Sequence, residues 1–315
     1  MNFPAELLKQ CWFLAGPTAV GKTATALHLA GLLNAEILSM DSMAIYRQMD
    51  IGTAKPDTIE RSKVPHHLLD LVDPHQDFSM AEYCHAAVDA ATDVVLRGRT
   101  PLFVGGTGLY LRAILRGTFD GPSADWDFRR QLEQDALKLG PEELHRRLTD
   151  VDSVSAARLH SNDQRRIIRA LEVFHLTGVP LSAQQNNLPV AVSDRPPAVA
   201  WLEPDREWLR TCIDQRVNKM MDKGLLEETR RLLNSKPPPG RTARQALGYR
   251  ELITHLEDDV PLPQAVELIQ VRTRQFAKRQ HTWFRNLEEC TAVPVGTDPS
   301  AEQLAERIHR QFRGN

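Results

Sequence analysis

Cysteine is scarce and scattered. The four present, Cys11, Cys84, Cys212 and Cys290, form no C-x-x-C pair, so neither a zinc site nor a disulfide framework is indicated, and a reduced cytoplasmic setting fits. Long hydrophobic runs are missing too. No apolar stretch approaches the ~20 residues that a bilayer crossing needs, and the first ten residues, with Pro4, Glu6 and Lys9, carry no apolar run. Neither secretion nor a membrane is expected. There is no excess of one charge: 39 basic and 41 acidic residues leave a net −2. That balance does not advertise nucleic acid, although a local basic groove is compatible with it. Internal repeats at solenoid spacing and low-complexity segments are also absent.

What remains is an ordinary globular composition, 42% apolar and 25% charged, in 315 residues. That length predicts a core with an insertion, or two domains. The informative stretch is Gly16-Pro17-Thr18-Ala19-Val20-Gly21-Lys22-Thr23, which fits G-x-x-x-x-G-K-[ST]. This is the P-loop, whose backbone N–H groups cradle phosphates while the Lys neutralises them and the Thr hydroxyl reaches a Mg²⁺. Trp12 to Ala15 reads as a buried strand entering the motif and Lys22 to Leu33 as the helix leaving it, with Asn34 as its stop. A P-loop recognises a string of phosphates and does not by itself specify ATP.

The pattern then repeats. Glu36 to Met40 predicts a strand ending at Asp41-Ser42, Met43 to Lys55 a polar loop, and Pro65 to Asp70 a short strand. The adjacent His66 and His67 on that strand point to opposite faces and share no metal. Ser79 to Arg97 has helical periodicity behind a Ser cap, and Pro101 to Val104 is a strand entering Gly105-Gly106-Thr107-Gly108 and a helix from Leu109. Strands alternating with helices mean an α/β fold with a mainly parallel sheet flanked by helices. Near Asp120 the texture changes to charged amphipathic helices with no strand, ending in the Pro-containing linker Asn186 to Pro197. The strand signal returns at Ala198 to Leu202, helices follow to about Asn286, and a strand at Thr291 to Val295 precedes a terminal amphipathic helix. The simplest organisation is a P-loop core, 1–119 and 198–315, carrying an inserted all-helical domain at 120–197.

Asp41 stands where a strand should end beside the phosphate site. There it could hold Mg²⁺, accept a proton from an incoming nucleophile, or simply form a turn or helix cap. No second strand ends in the Asp of a Walker B site, and no arginine finger declares itself, which suggests a phosphate group bound without NTP hydrolysis. Three runs are basic: Arg165, Arg166 and Arg169; Arg241, Arg244 and Arg250; and Arg272 to Arg285, with five Lys/Arg, no acid and interleaved aromatics. They read either as solvated helix faces or as phosphate-tracking, base-stacking contacts. The Gly105 to Gly108 turn fits either close approach of a ligand or a tight turn. Trp126, Trp201 and Trp208 read as packing residues. On residues alone a nucleoside or small-molecule kinase, or a nucleic-acid-binding NTPase, stays open.

Taken together the chain resembles the tRNA dimethylallyltransferases, also called tRNA isopentenyltransferases, of the bacterial type. The resemblance runs through the P-loop, Asp41-Ser42-Met43-x-Ile45-Tyr46-Arg47 continuing to Pro56, Pro65-His66-His67, the Gly105 to Tyr110 block, His160 with Asn162-Asp163, Gly248 to Glu251 and Arg274 to Arg285. It implies transfer of a dimethylallyl group from dimethylallyl diphosphate to N6 of the adenosine 3′ of the tRNA anticodon, by a cytoplasmic monomer that needs Mg²⁺ and no membrane. The implied diphosphate ligands are Gly16, Thr18, Ala19, Val20, Gly21, Lys22 and Thr23, with Thr23 on the metal. Asp41, Thr23, Lys22 and Arg216 are the implied catalytic set, Asp41 taking the N6 proton. The tRNA anticodon stem-loop would meet Asp41, Ser42, Met43, Ala44, Thr107, Arg129, Arg165, Arg166, Arg169, Gln245, Gly248, Tyr249, Arg250, Lys278, Arg279, Gln280, Trp283 and Arg285. The zinc finger of eukaryotic members is missing, in keeping with the cysteine count.

Overall fold

A computed structural model of the chain describes residues 3–119, 121–184, 188–297 and 300–313. Trp12–Ala15 (β1) is buried at every position, the pattern of a strand covered on both faces. Lys22–Leu33 (α1) follows and stops at Asn34, which adopts the left-handed conformation at φ 51° and returns its N–H to the carbonyls of Ala30 and Gly31. Ala35–Met40 (β2) and His66–His67 (β3) come next. Met80–Leu96 (α2) begins at a capping box in which Ser79 and Glu82 satisfy each other's backbone N–H. Thr100–Gly105 (β4) then leads into Gly108–Arg116 (α3).

The strand expected over Pro65 to Asp70 is shorter than its residues suggest. Leu68 and Asp70 take positive φ, 61° and 56°, which an extended strand cannot accommodate. His66 Nδ1 meets the Val64 carbonyl and His67 Nε2 meets Glu36, two separate partners. The segment 43–55 is irregular as expected, but it is not polar: Ile45, Tyr46 and Met49 are buried. It is pinned by Lys55, whose ammonium donates to the Tyr46 carbonyl, Asp50 and Asp70. Burial raises the Asp70 carboxyl, but the bonds from Lys55 and Arg61 outweigh it and hold the group below the usual carboxylate range.

The chain divides into two compact units, Arg116–Leu188 and Asn2–Leu115 with Pro189–Asn315. The first is built of helices Trp126–Leu139 (α4), Pro141–Val151 (α5), Ser153–Arg158 (α6) and Gln164–Thr177 (α7) around Leu132, Leu144, Leu148, Ile167 and Leu171. The sequence boundaries of 120 and 197 differ from these. Residues past Pro189 fall with the sheet unit because Val190 N–H bonds Glu289 and Arg195 pairs with Glu288.

The sheet unit continues with Ala198–Pro204 (β5), Arg206–Asp222 (α8), Leu225–Leu233 (α9), Tyr249–Glu257 (α10), Leu262–Arg285 (α11), Thr291–Val295 (β6) and Ala301–Phe312 (α12). The six strands run in the order β3-β2-β4-β1-β5-β6, and every pairing is parallel. One core cluster joins Trp12, Leu14, Ala200 and Val293 of the sheet to Leu29 of α1 and Ile308 and Phe312 of α12. A second places Ile45, Tyr46 and Met49 against Val217, Leu225, Tyr249 and Ile269. Trp201 is buried and Trp208 packs partly buried against the sheet cluster, so both pack as expected.

Candidate active site

Strand register decides which residues meet. Met40, Gly105, Ala15 and Trp201 occupy one rung across β2, β4, β1 and β5. The residues that leave that rung at the carboxyl edge are Asp41, Gly106, Gly16 and Leu202. In an open parallel sheet this edge, where loops turn away from both sides of a central strand, is the ligand crevice.

The loop from Gly16 is shaped to receive an anion. Ala19 and Gly21 both take left-handed φ, 66° and 93°, and such turns gather successive N–H groups on the concave side. Gly21 caps α1 without a side chain, so the first N–H groups of the helix are free for a ligand. Lys22 turns onto the loop itself, donating to the carbonyls of Gly16 (2.9 Å) and Pro17 (2.7 Å). Burial, reinforced by the charge of Arg216 and opposed by Asp41, lowers the Lys22 ammonium to about 7. Arg216, reaching in from α8, is itself pulled down by burial and back up by Asp41. Lys22, Arg216 and Asp41 thus share one electrostatic neighbourhood with two cations to one carboxylate.

Asp41 forms the turn that its position allowed: Oδ1 accepts the N–H groups of Met43 (2.8 Å) and Ala44 (3.3 Å). Among the described residues Oδ2 has no hydrogen-bond partner, so the carboxylate is oriented by one oxygen and open at the other. Thr107 ties the same edge together, its Oγ1 accepting Ser42 N–H and its N–H donating to the Met40 carbonyl. The Thr23 hydroxyl has no partner among the described residues. No group of three or more His, Cys, Asp or Glu there could hold a metal. A divalent cation would therefore be completed by a ligand's phosphate oxygens, the mode that suits Mg²⁺.

The glycines at the end of β4 and in the turn beyond it make room for protein atoms. A Cβ at Gly105 would lie 2.2 Å from the Met40 carbonyl oxygen, and one at Gly106 2.2 Å from Nε2 of Gln280. One at Gly108 would lie 2.9 Å from the Trp283 side chain.

Several residues expected against tRNA have other partners. Gln280 is buried between the P-loop and Gly106. Tyr249 is 2% exposed, and its hydroxyl donates to Glu228 at 2.6 Å; Gly248, also buried, gives its N–H to Glu251. Gln245, Arg250, Lys278, Arg279 and Arg285 are exposed, as is Trp283, beneath the Arg112 guanidinium. In the helical unit Arg129 and Arg169 both close on Glu172, whose side chain is wholly buried, and Arg166 pairs with Asp163; Arg165 is exposed. Sequence reasoning missed Glu228, which accepts the N–H groups of Asp50, Ile51 and Gly52 and so fixes the loop after Asp41. No sequence signal marked it.

The IPP transferase family model matches residues 44–287. The chain belongs to that family. It is 48% identical over 274 residues to a tRNA dimethylallyltransferase of Geobacter metallireducens, covering 87% of this chain and 89% of the relative. It is 47% identical to that of Symbiobacterium thermophilum, covering 95% and 94%. Among solved structures, the tRNA isopentenylpyrophosphate transferase of Bacillus halodurans is similar at 37% identity and a TM-score of 0.71 over 97% of this chain and 96% of its own. A eukaryotic dimethylallyltransferase acting on tRNA is similar at 27% and 0.78, over 97% and 79%. The family match begins at Ala44, downstream of the P-loop; strand register is what joins the P-loop to the matched region.

Proposed function

We propose that the chain transfers the dimethylallyl group of dimethylallyl diphosphate to N6 of the adenosine 3′ of the tRNA anticodon, releasing diphosphate. The observation that carries this reading is the phosphate mouth at the sheet edge, where Lys22, Arg216 and the uncapped start of α1 face one carboxylate with a free oxygen. As the allylic C–O bond breaks, negative charge grows on the leaving diphosphate, and the loop N–H groups, Lys22 and Arg216 take it up. As N6 bonds to the allylic carbon, Asp41 Oδ2 accepts the N6 proton. Mg²⁺ held by Thr23 and the diphosphate oxygens would supply further charge neutralisation. A stacked anticodon-loop base must leave its stack to reach this edge. Exposed Arg250, Lys278, Arg279 and Arg285 suit the phosphate backbone, and Trp283 suits an unstacked base; Arg165 extends the same role to the helical unit. The protein works as a monomer in the cytoplasm. No described helix is long and apolar enough to cross a membrane.

The test is incubation with dimethylallyl diphosphate, Mg²⁺ and unmodified tRNA followed by nucleoside analysis. N6-isopentenyladenosine is expected, and it disappears when ATP replaces the allylic donor. RNA-stimulated ATP hydrolysis without modified nucleoside would instead favour an NTPase.

A further inference from the structure

Gln280 occupies a place its residue type does not suit. The buried stripe of α11 runs Ile269, Thr273, Ala277, Gln280, Phe284, and at this helical spacing every member faces the core. A buried primary amide is costly unless its polar atoms are paired. Here both ends are paired: Oε1 accepts Thr18 N–H at 2.9 Å, and Nε2 donates to the Gly106 carbonyl at 2.8 Å. The amide orientation follows from the partners, since an N–H can meet only the oxygen and a carbonyl only the nitrogen. The residue is 4% exposed. Gly106 leaves the space it needs, because a Cβ there would collide with Nε2.

We infer that Gln280 is a positioning residue for the phosphate loop: it clamps Thr18 to the turn after β4 and so sets the shape in which the later N–H groups, Val20 to Thr23, are presented. Two consequences follow. Thr18 N–H is committed to the protein, which leaves only the Thr18 hydroxyl for the diphosphate contact expected of that residue. Gly106 is required by Gln280 rather than by a ligand. The inference rests on the diphosphate reading of the loop, and it touches no reacting atom.

The test is a double-mutant cycle over Gln280→Ala and Gly106→Ala, read by calorimetric binding of inorganic diphosphate with Mg²⁺, by KM for dimethylallyl diphosphate and by KM for tRNA. Each single variant is expected to weaken diphosphate binding and raise the allylic KM about tenfold, the scale of a lost buried hydrogen-bond pair, with KM for tRNA unchanged. The double variant is expected to be no worse than Gln280→Ala, because the clash with Nε2 is then gone and the nearest remaining neighbour, the Gly16 carbonyl oxygen, lies at an ordinary 3.4 Å. Gln280→Met keeps the approximate size and adds no charge but makes neither bond; it guards against a packing defect and should weaken diphosphate binding as much as Gln280→Ala. Equal diphosphate affinity in wild type and all variants would overturn the clamp while leaving the leaving-group reading standing. Additive losses would overturn the assignment of Gly106. Absence of diphosphate binding in wild type would sink the site reading itself and the clamp with it.

Discussion

Two of the places in this protein that bring two cations to one carboxylate do opposite things with them. In the helical unit, Arg129 and Arg169 converge on Glu172, each within 2.7 Å of it, and the Asp125 N–H adds a further bond. Burial alone would raise that carboxyl; the two guanidinium groups outweigh it and leave it below the usual range. Every charge there is answered inside the protein. At the sheet edge, Lys22 and Arg216 stand near Asp41 without bonding it, Lys22 falling back on loop carbonyls and Asp41 on loop N–H groups. In the proposed reading, the surplus positive charge and the helix N–H groups without side-chain caps suit an anion with several oxygens. The same residue types serve stability in one unit and leave a binding deficit in the other.

The comparison can be broken most sharply at Asp41. Asp41→Ala should lower single-turnover prenylation of an anticodon stem-loop by about 10²–10⁴, the range of a positioned general base, with unfolding little changed; a wild-type rate removes it as the base. Glu172→Ala should do the reverse. It leaves two partly exposed guanidinium groups and the Asp125 N–H without their acceptor and should cost about 1–3 kcal/mol, visible as a lowered urea midpoint, and an unchanged midpoint would mean that the triad does not hold the helical unit together. Lys22 offers a subtler contrast. With its ammonium lowered to about 7 by burial and Arg216, Lys22 is charged below that pH and increasingly neutral above it, whereas diphosphate favours the charged form. Diphosphate affinity should therefore fall as pH rises past 7, with proton uptake at pH 8 in calorimetry across buffers that Lys22→Met abolishes. Smallest is the surface effect. Arg250→Ala or Lys278→Ala should each weaken tRNA binding modestly and reduce its salt slope by about one, whereas Arg166→Ala, paired locally to Asp163, is the control in which the slope moves least.

Much of this was readable in the sequence because it is local. The P-loop string, the Asn34 stop and the Ser79 cap each act within a few residues, and the rule that ligands meet strand ends placed Asp41 and Gly106 at one edge. The basic runs were harder to read. Composition cannot tell Arg169, turned onto a buried glutamate, from Arg165, left in solvent. Gln280 and Glu228 were hidden for a related reason: Gln280 bonds Thr18 and Gly106, 262 and 174 residues away, Glu228 bonds the loop 50–52 at 176 to 178 residues, and only the fold brings them together. A Gln in the apolar stripe of α11 was the one available hint of the first.

The most direct test of the leaving-group account is a single-turnover reaction with doubly labelled dimethylallyl diphosphate and anticodon stem-loop RNA, following diphosphate release and N6 modification in the same tube. The account predicts one diphosphate released per adenosine modified, at equal rates and with no ATP present. Diphosphate release without modified adenosine, or modification that requires ATP cleavage, would contradict it.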